Sequence, residues 1–254
     1  MRGKWVLITG ASSGFGAAAA VAFGAAGAAV ILGARREDRL IESARAAKAA
    51  GAPDAVYRKL DVSNTGSVDE FVRWVKGVCP QLDVLVNNAG GALGLETVEQ
   101  GLDEDWEGMM QVNVLGVLRM TRAALPLLKA NPGSMIINLG SIAGRVAYEG
   151  GAAYCAAKAG ELQITRALRL ELCGTGVRVG TLDPGMAETE FSVVRFKGDE
   201  TRAAKVYQGV EPLKASDVAD ALVWMASRPA HVNIDEMIIK CTDQAAIHKV
   251  NRRG

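Results

Sequence analysis

The chain has 254 residues, with 29 Lys and Arg set against 28 Asp and Glu, for a formal net charge of +1. Near-neutrality gives no electrostatic ground for a nucleic-acid, anionic-membrane or polyanionic partner. With 49% apolar and 22% charged residues the composition is that of a globular protein, which excludes disorder as the main state.

Residues 4–9 read as a first strand, followed by Thr9-Gly10-Ala11-Ser12-Ser13-Gly14-Phe15-Gly16 and a helix over 15–26. Residues 6–34 carry no charge and are long enough to span a bilayer. Six glycines in that run disfavour a spanning helix. A strand, a turn, a buried helix and a second strand account for it better, and only four apolar residues precede the first glycine of the turn, too few for a secretory leader. Further strands are expected at 29–33, 55–60, 84–86, 134–139, 177–182 and 234–240, mostly as uninterrupted apolar runs. Such runs belong to a parallel sheet covered on both faces. Helices are expected at 36–50, 68–78, 103–130, 152–173 and 216–226. Seven strands alternating with helices predict a single α/β domain over 1–254, a doubly wound, seven-stranded parallel Rossmann sheet. The irregular stretch at about 186–214 follows the sixth strand, at the edge where such sheets bind ligands, and is a candidate substrate lid.

Four dispersed cysteines without C-x-x-C spacing fit neither a disulfide framework nor a zinc site, and agree with a reduced, cytoplasmic setting. His231 and His248 are the only histidines and lie far from every other motif, so no metal centre is expected.

The glycine turn at the first strand-to-helix junction suits a dinucleotide. Glycines allow close backbone approach, and the helix N-terminus offers free N–H groups to a pyrophosphate. An ordinary glycine-rich turn is the alternative. At the end of the second strand, where an acid would receive the 2′-hydroxyl of NAD, Arg35 and Arg36 stand instead. Two guanidiniums suit a 2′-phosphate, which predicts NADP(H), although an arginine pair at a solvated helix start would look the same. Tyr154 and Lys158 share one helix face, one turn apart. A free phenol has a pKa of about 10, and a neighbouring ammonium with an oxidised nicotinamide would favour the phenolate. Tyr154 is then a proton donor in reduction and acceptor in oxidation. Ser141, ending the fifth strand, can donate to a carbonyl oxygen as charge develops there, or cap the turn.

In order and spacing, Thr9 to Gly16, Asp61-Val62, Asn87-Asn88-Ala89-Gly90, Asn113, Ser141, Tyr154-x-x-x-Lys158 and Pro184-Gly185 resemble the short-chain dehydrogenase/reductase family over essentially the whole chain. The resemblance implies a catalytic set of Asn113, Ser141, Tyr154 and Lys158, with Asn113 holding water in a proton relay and Lys158 also on the nicotinamide ribose. It implies cofactor contacts from Gly10, Ser12, Ser13, Gly14, Phe15, Gly16, Asp61, Val62, Asn88, Pro184, Gly185 and Thr189. It also implies a homodimer or homotetramer. A narrower likeness runs through residues 189–199 and 229–234, to NADP-dependent 3-hydroxy acid dehydrogenases that act on serine and allo-threonine. The Pro184 to Thr189 loop is one residue shorter than usual there. A 3-hydroxy acid needs a cation for its carboxylate, and Arg195 is the candidate, with a cofactor or subunit contact as the alternative role. Reduction of another ketone or aldehyde, or NADP(H) sensing without turnover, are the other expectations.

Overall fold

The structure is a computed structural model and describes residues 1–253. Seven parallel strands build the central sheet: β1 (Trp5–Thr9), β2 (Ala29–Ala34), β3 (Ala55–Lys59), β4 (Val84–Asn87), β5 (Met135–Leu139), β6 (Arg178–Pro184) and, further along the chain, β9 (Glu236–Ile239). Their spatial order is β3-β2-β1-β4-β5-β6-β9. All seven expected strands are present, displaced at their ends by one or two residues.

Helices cover both faces, as the apolar strands require. Val6, Ile8, Val30 and Leu32 face one way, against α1 (Gly14–Ala25), α2 (Glu37–Ala50) and α9 (Ala215–Ala226). Leu7, Ile31, Leu85 and Ile136 face the other, against α3 (Thr65–Val78), α5 (Gly116–Lys129) and α6 (Ala152–Glu171). The alternation follows from the two-residue period of strand side chains. Helix α3 starts earlier than expected, because the Asn64 side chain accepts from Ser67 N and fixes the first turn. The order reverses between β1 and β4, which opens a crevice at the carboxyl ends of these strands.

Two expectations need correction. The single helix over 103–130 is instead α4 (Asp103–Met110), a π-helical turn (Gln111–Leu115) and α5. Such wide turns concentrate at functional positions, and this one carries Asn113. The stretch 186–214 is not irregular. Strand β7 (Ala187–Glu188) pairs in parallel with β8 (Leu213–Lys214), closing a loop that contains α7 (Phe191–Arg195) and α8 (Glu200–Lys205). A hairpin follows, β10 (Gln244–Ala246) with β11 (Lys249–Val250), folded back against this segment. Gln244 Oε1 accepts from Met186 N at 2.7 Å, and Arg253 N donates to Gly209 O at 2.7 Å.

Candidate active site

The glycine turn is built for a ligand that approaches its backbone. Gly10 and Gly14 sit at φ +66° and +53°, in the left-handed region that favours glycine. A Cβ on Gly16 would collide with the Gly10 carbonyl and the Asn88 amide. Asn88 secures the turn: its Nδ2 donates to Thr9 O at 2.8 Å and Gly10 O at 3.2 Å. Ser13, before α1, is extended and caps nothing with its side chain. The first N–H groups of α1 therefore face a cleft lined by Gly10, Ser13, Gly14, Phe15, Asn88 and Thr189. This cradle fits a dinucleotide's pyrophosphate.

At the adenosine end, Arg36 bonds Ser13 Oγ at 2.7 Å and pairs with Glu190 at 3.0 Å. Both partners are half exposed, and the hydrogen bond from Arg36 is the main cause holding Glu190 below the ordinary carboxylate range. Asp61 Oδ1 accepts from Ser63 N and Oγ. Burial works against the charge of Asp61, but the Ser63 bonds with Arg35 and Arg119 nearby prevail and keep it low. Val62 is buried and packs against Gly116.

Next to this cleft lies a cavity of about 420 Å³, lined among others by Ser141, Tyr148, Tyr154, Phe191, Arg195 and Tyr207. Gly140, Phe15, Tyr154, Thr189 and Phe191 border both hollows, so the two communicate. Pro184 and Gly185 form one wall. Ser141 Oγ accepts from Ala143 N at 3.1 Å, capping the short turn after β5, and its hydroxyl also lies within reach of Tyr154.

Tyr154 and Lys158 lie on the buried face of α6, 8% and 6% exposed. Lys158 Nζ donates to Leu139 O at 2.8 Å and to Glu161 Oε2 at 2.7 Å. The lysine pulls the phenol pKa down, in the expected direction. Burial raises the Tyr154 pKa, and the Lys158 charge with a Ser141 hydrogen bond only partly opposes it. Lys158 itself is held up chiefly by Glu161, against its own burial.

Asn113 is 1% exposed, and its amide is fully engaged: Nδ2 donates to Met109 O and Gly91 O, and Oδ1 accepts from Gly91 N. It ties the π turn to the loop after β4. Both side-chain N–H groups are committed, which leaves its oxygens to receive a water.

Arg195 reaches from α7 into the cavity. Its Nε donates to Gly94 O at 2.9 Å, and Gly94 N donates back to the Arg195 carbonyl at 2.9 Å. Its guanidinium carbon is 5.4 Å and 5.7 Å from the Tyr148 and Tyr154 ring centres. Nη2 is buried without a hydrogen-bond partner among the described residues. Phe191 stacks at a tilt on Tyr154, with centroids 5.6 Å apart.

A model of the short chain dehydrogenase family matches residues 4–200. The chain belongs to that family. As a short-chain dehydrogenase it is an oxidoreductase of small molecules. It is 39% identical over 252 residues to the "NADP-dependent 3-hydroxy acid dehydrogenase" of Schizosaccharomyces pombe, covering 99% of this chain and 97% of that one. It is 42% identical to "Sulfoacetaldehyde reductase 2" of Chromohalobacter salexigens, over 94% of this chain and 95% of the relative. The closed form of serine dehydrogenase complexed with NADP+ superposes with a TM-score of 0.91 at 39% identity, covering 98% and 100% of the two chains.

Sequence reasoning missed Glu161, Asp183 and Arg145, which form a buried charge cluster beside Lys158. A helical stripe of positions 154, 158, 161, 165 and 168 would have exposed the first of these.

Proposed function

We propose that this short-chain dehydrogenase transfers a hydride between NADP(H) and short 3-hydroxy acids, such as L-serine, L-allo-threonine or 3-hydroxypropionate, and the corresponding carbonyl compounds. The observation that carries the substrate class is Arg195, which lines the cavity that holds Ser141 and Tyr154, with its guanidinium clamped at Nε and its Nη2 buried without a partner among the described residues. An unpaired buried donor is costly, and a carboxylate there would satisfy it with a charge-assisted bond. The names of the relatives point the same way.

When bound, the nicotinamide supplies or receives the hydride. Around it, Ser141 donates to the substrate oxygen as negative charge develops, and Tyr154 moves the proton at that same oxygen. Lys158 has two of its three N–H groups anchored, which leaves the third for the cofactor ribose and the phenol. Gly10, Gly14 and Gly16 shape the backbone cradle, Ser13 and Thr189 border it, Phe15 lines both hollows, and Ser12 is a further proposed contact of the turn.

The test is NADP+ reduction across a panel of 3-hydroxy acids and neutral alcohols. Turnover of the acids and weak action on neutral alcohols is expected. In Arg195→Met, KM for acids should rise by about 10- to 100-fold, the worth of one charged hydrogen bond, while neutral substrates change little; equal losses on both would remove Arg195 from this role. A sulfonate presents the same charge, and its relative here favours sulfoacetaldehyde as a second substrate to include. Tight NADPH binding with no turnover on any substrate would identify a sensor.

Arg35 and Arg36 are the proposed 2′-phosphate ligands. Arg36 would exchange Glu190 for the phosphate, a weak exposed pair giving way to a doubly charged partner. We expect the wild type to prefer NADPH in kcat/KM, and Arg35→Ala with Arg36→Ala to lose about 10- to 100-fold with NADPH but little with NADH. A wild-type preference for NADH would overturn the assignment.

A cytoplasmic homodimer or homotetramer is the proposed assembly. Met110, Leu115 and Leu118 are exposed along α4, the π turn and α5, and Trp224 and Ile238 are exposed on α9 and β9. No described helix is long and apolar enough to cross a membrane.

A further inference from the structure

Glu161 stands one helical turn beyond Lys158, 1% exposed, on the face of α6 turned to the sheet. Its Oε2 accepts from Lys158 Nζ at 2.7 Å, while Oε1 is buried with no partner among the described residues. A carboxylate so placed is expensive unless it acts on its neighbour. Its surroundings are few and specific. Lys158 and Tyr154 face it along α6, Leu139 O on β5 shares the ammonium, and Asp183 on β6 lies near enough to oppose its charge. Asp183 is itself tied to Arg145, beyond β5, and to Thr181 Oγ1. Arg195, from α7, faces Tyr154 from the opposite side.

We propose that Glu161 is a positioning residue for the proton transfer: it pins the Lys158 ammonium beneath the cleft and, by its own charge, sets how strongly that ammonium stabilises the Tyr154 phenolate. The proposal rests on Tyr154 being the proton-transfer group.

The sign follows from charge. With Glu161 ionised, Lys158 and Glu161 together present no net charge to the phenol, so the phenolate is poorly supported. With Glu161 neutral, a full positive charge remains beside Tyr154 and the phenolate is favoured. The two directions are visible at Tyr154, where Lys158 draws the phenol pKa down and Glu161 pushes it up. Burial, against the pull of Lys158, lifts the Glu161 carboxyl to about 7, so its charge changes near neutral pH. In the wild type Glu161 is therefore ionised before Tyr154 titrates, and its charge raises the pH at which the phenol ionises.

Glu161→Gln keeps an acceptor for Lys158 and removes the charge. Two readouts apply. In the enzyme without cofactor, the tyrosinate ultraviolet band attributable to Tyr154 is identified by its loss in Tyr154→Phe. That band should titrate at lower pH in Glu161→Gln than in wild type. In NADP+-dependent oxidation, the acid limb of the kcat profile should reach half-maximum at roughly tenfold higher proton activity in the variant. Should Gln fail to fold, Glu161→Met removes the charge at similar volume, and the same shift is expected. An unchanged Tyr154 titration and an unchanged acid limb in the folded variant would overturn the proposal. If Tyr154→Phe itself kept full turnover, the underlying assignment of Tyr154 would fail instead, and the two outcomes are distinguishable.

Discussion

Tyr154→Phe should lower kcat by about 10²–10⁴-fold, the usual contribution of a positioned acid-base group, with NADPH affinity nearly unchanged. The substitution removes one oxygen and leaves the ring. That ring carries the packing: it stacks on Phe191 at 5.6 Å and lies under Arg195. Loss of the hydroxyl therefore leaves the cavity wall standing while the proton has no acceptor. The phosphate cradle, built by Gly10 to Gly16 and held by Asn88, lies at the other end of the crevice and should bind cofactor as before. Stopped-flow hydride transfer and fluorescence titration of NADPH separate the two effects. Near-normal kcat would remove Tyr154 from its role.

Lys158→Met is expected to be the most destabilising of the site substitutions, by about 3–5 kcal/mol at mildly alkaline pH, the usual cost of leaving a buried charge without its partner. Lys158 and Glu161 are buried together, and the Glu161 carboxylate has no other hydrogen-bond donor. In the wild type burial lifts the carboxyl to about 7 even against the pull of the lysine. Without Lys158 the folded-state value rises further, while the unfolded value stays at about 4.3. Since the folded value is the raised one, the variant is least impaired below the unfolded pKa. It loses stability as pH climbs from there through the folded pKa. Urea unfolding of Lys158→Met at acid and alkaline pH measures this. The double variant Lys158→Met with Glu161→Gln should recover most of the alkaline stability but no activity, because the ammonium that serves the ribose and the phenol is still missing. Equal stability of the single and double variants at alkaline pH would argue that Glu161 tolerates isolation by another route.

The sheet was readable because its strands are covered on both sides, so each appears as a solid apolar run such as 29–33. The break at 111–115 was hidden, because an added residue in a helical turn leaves the apolar spacing on either side intact. Asn113, polar in a buried helix, was its only signal. The motif residues were legible as types, but their bonding was not. That Asn113 has both amide hydrogens committed, or that Arg36 meets Glu190 across 154 positions of sequence, depends on how distant segments fold together. The same holds for the segment between β7 and β8, whose short helices are too brief to show a period. Arg195 was found by asking what a carboxylate would need. Glu161 was passed over because an acid three places from a lysine usually marks a solvated helix face.

The terminal hairpin has a consequence for how such enzymes diversify. Gln244 and Ile247 help wall the cavity, Gln244 holds Met186, and Arg252 grips the carbonyls of Val206 and Gln208 in the segment between β7 and β8. These residues lie outside the span, 4–200, that defines the family, whereas the phenol, the ammonium and the phosphate cradle all lie within it. Appetite for one small molecule over another can thus drift through edits at the far end of the polypeptide while the hydride chemistry is inherited untouched.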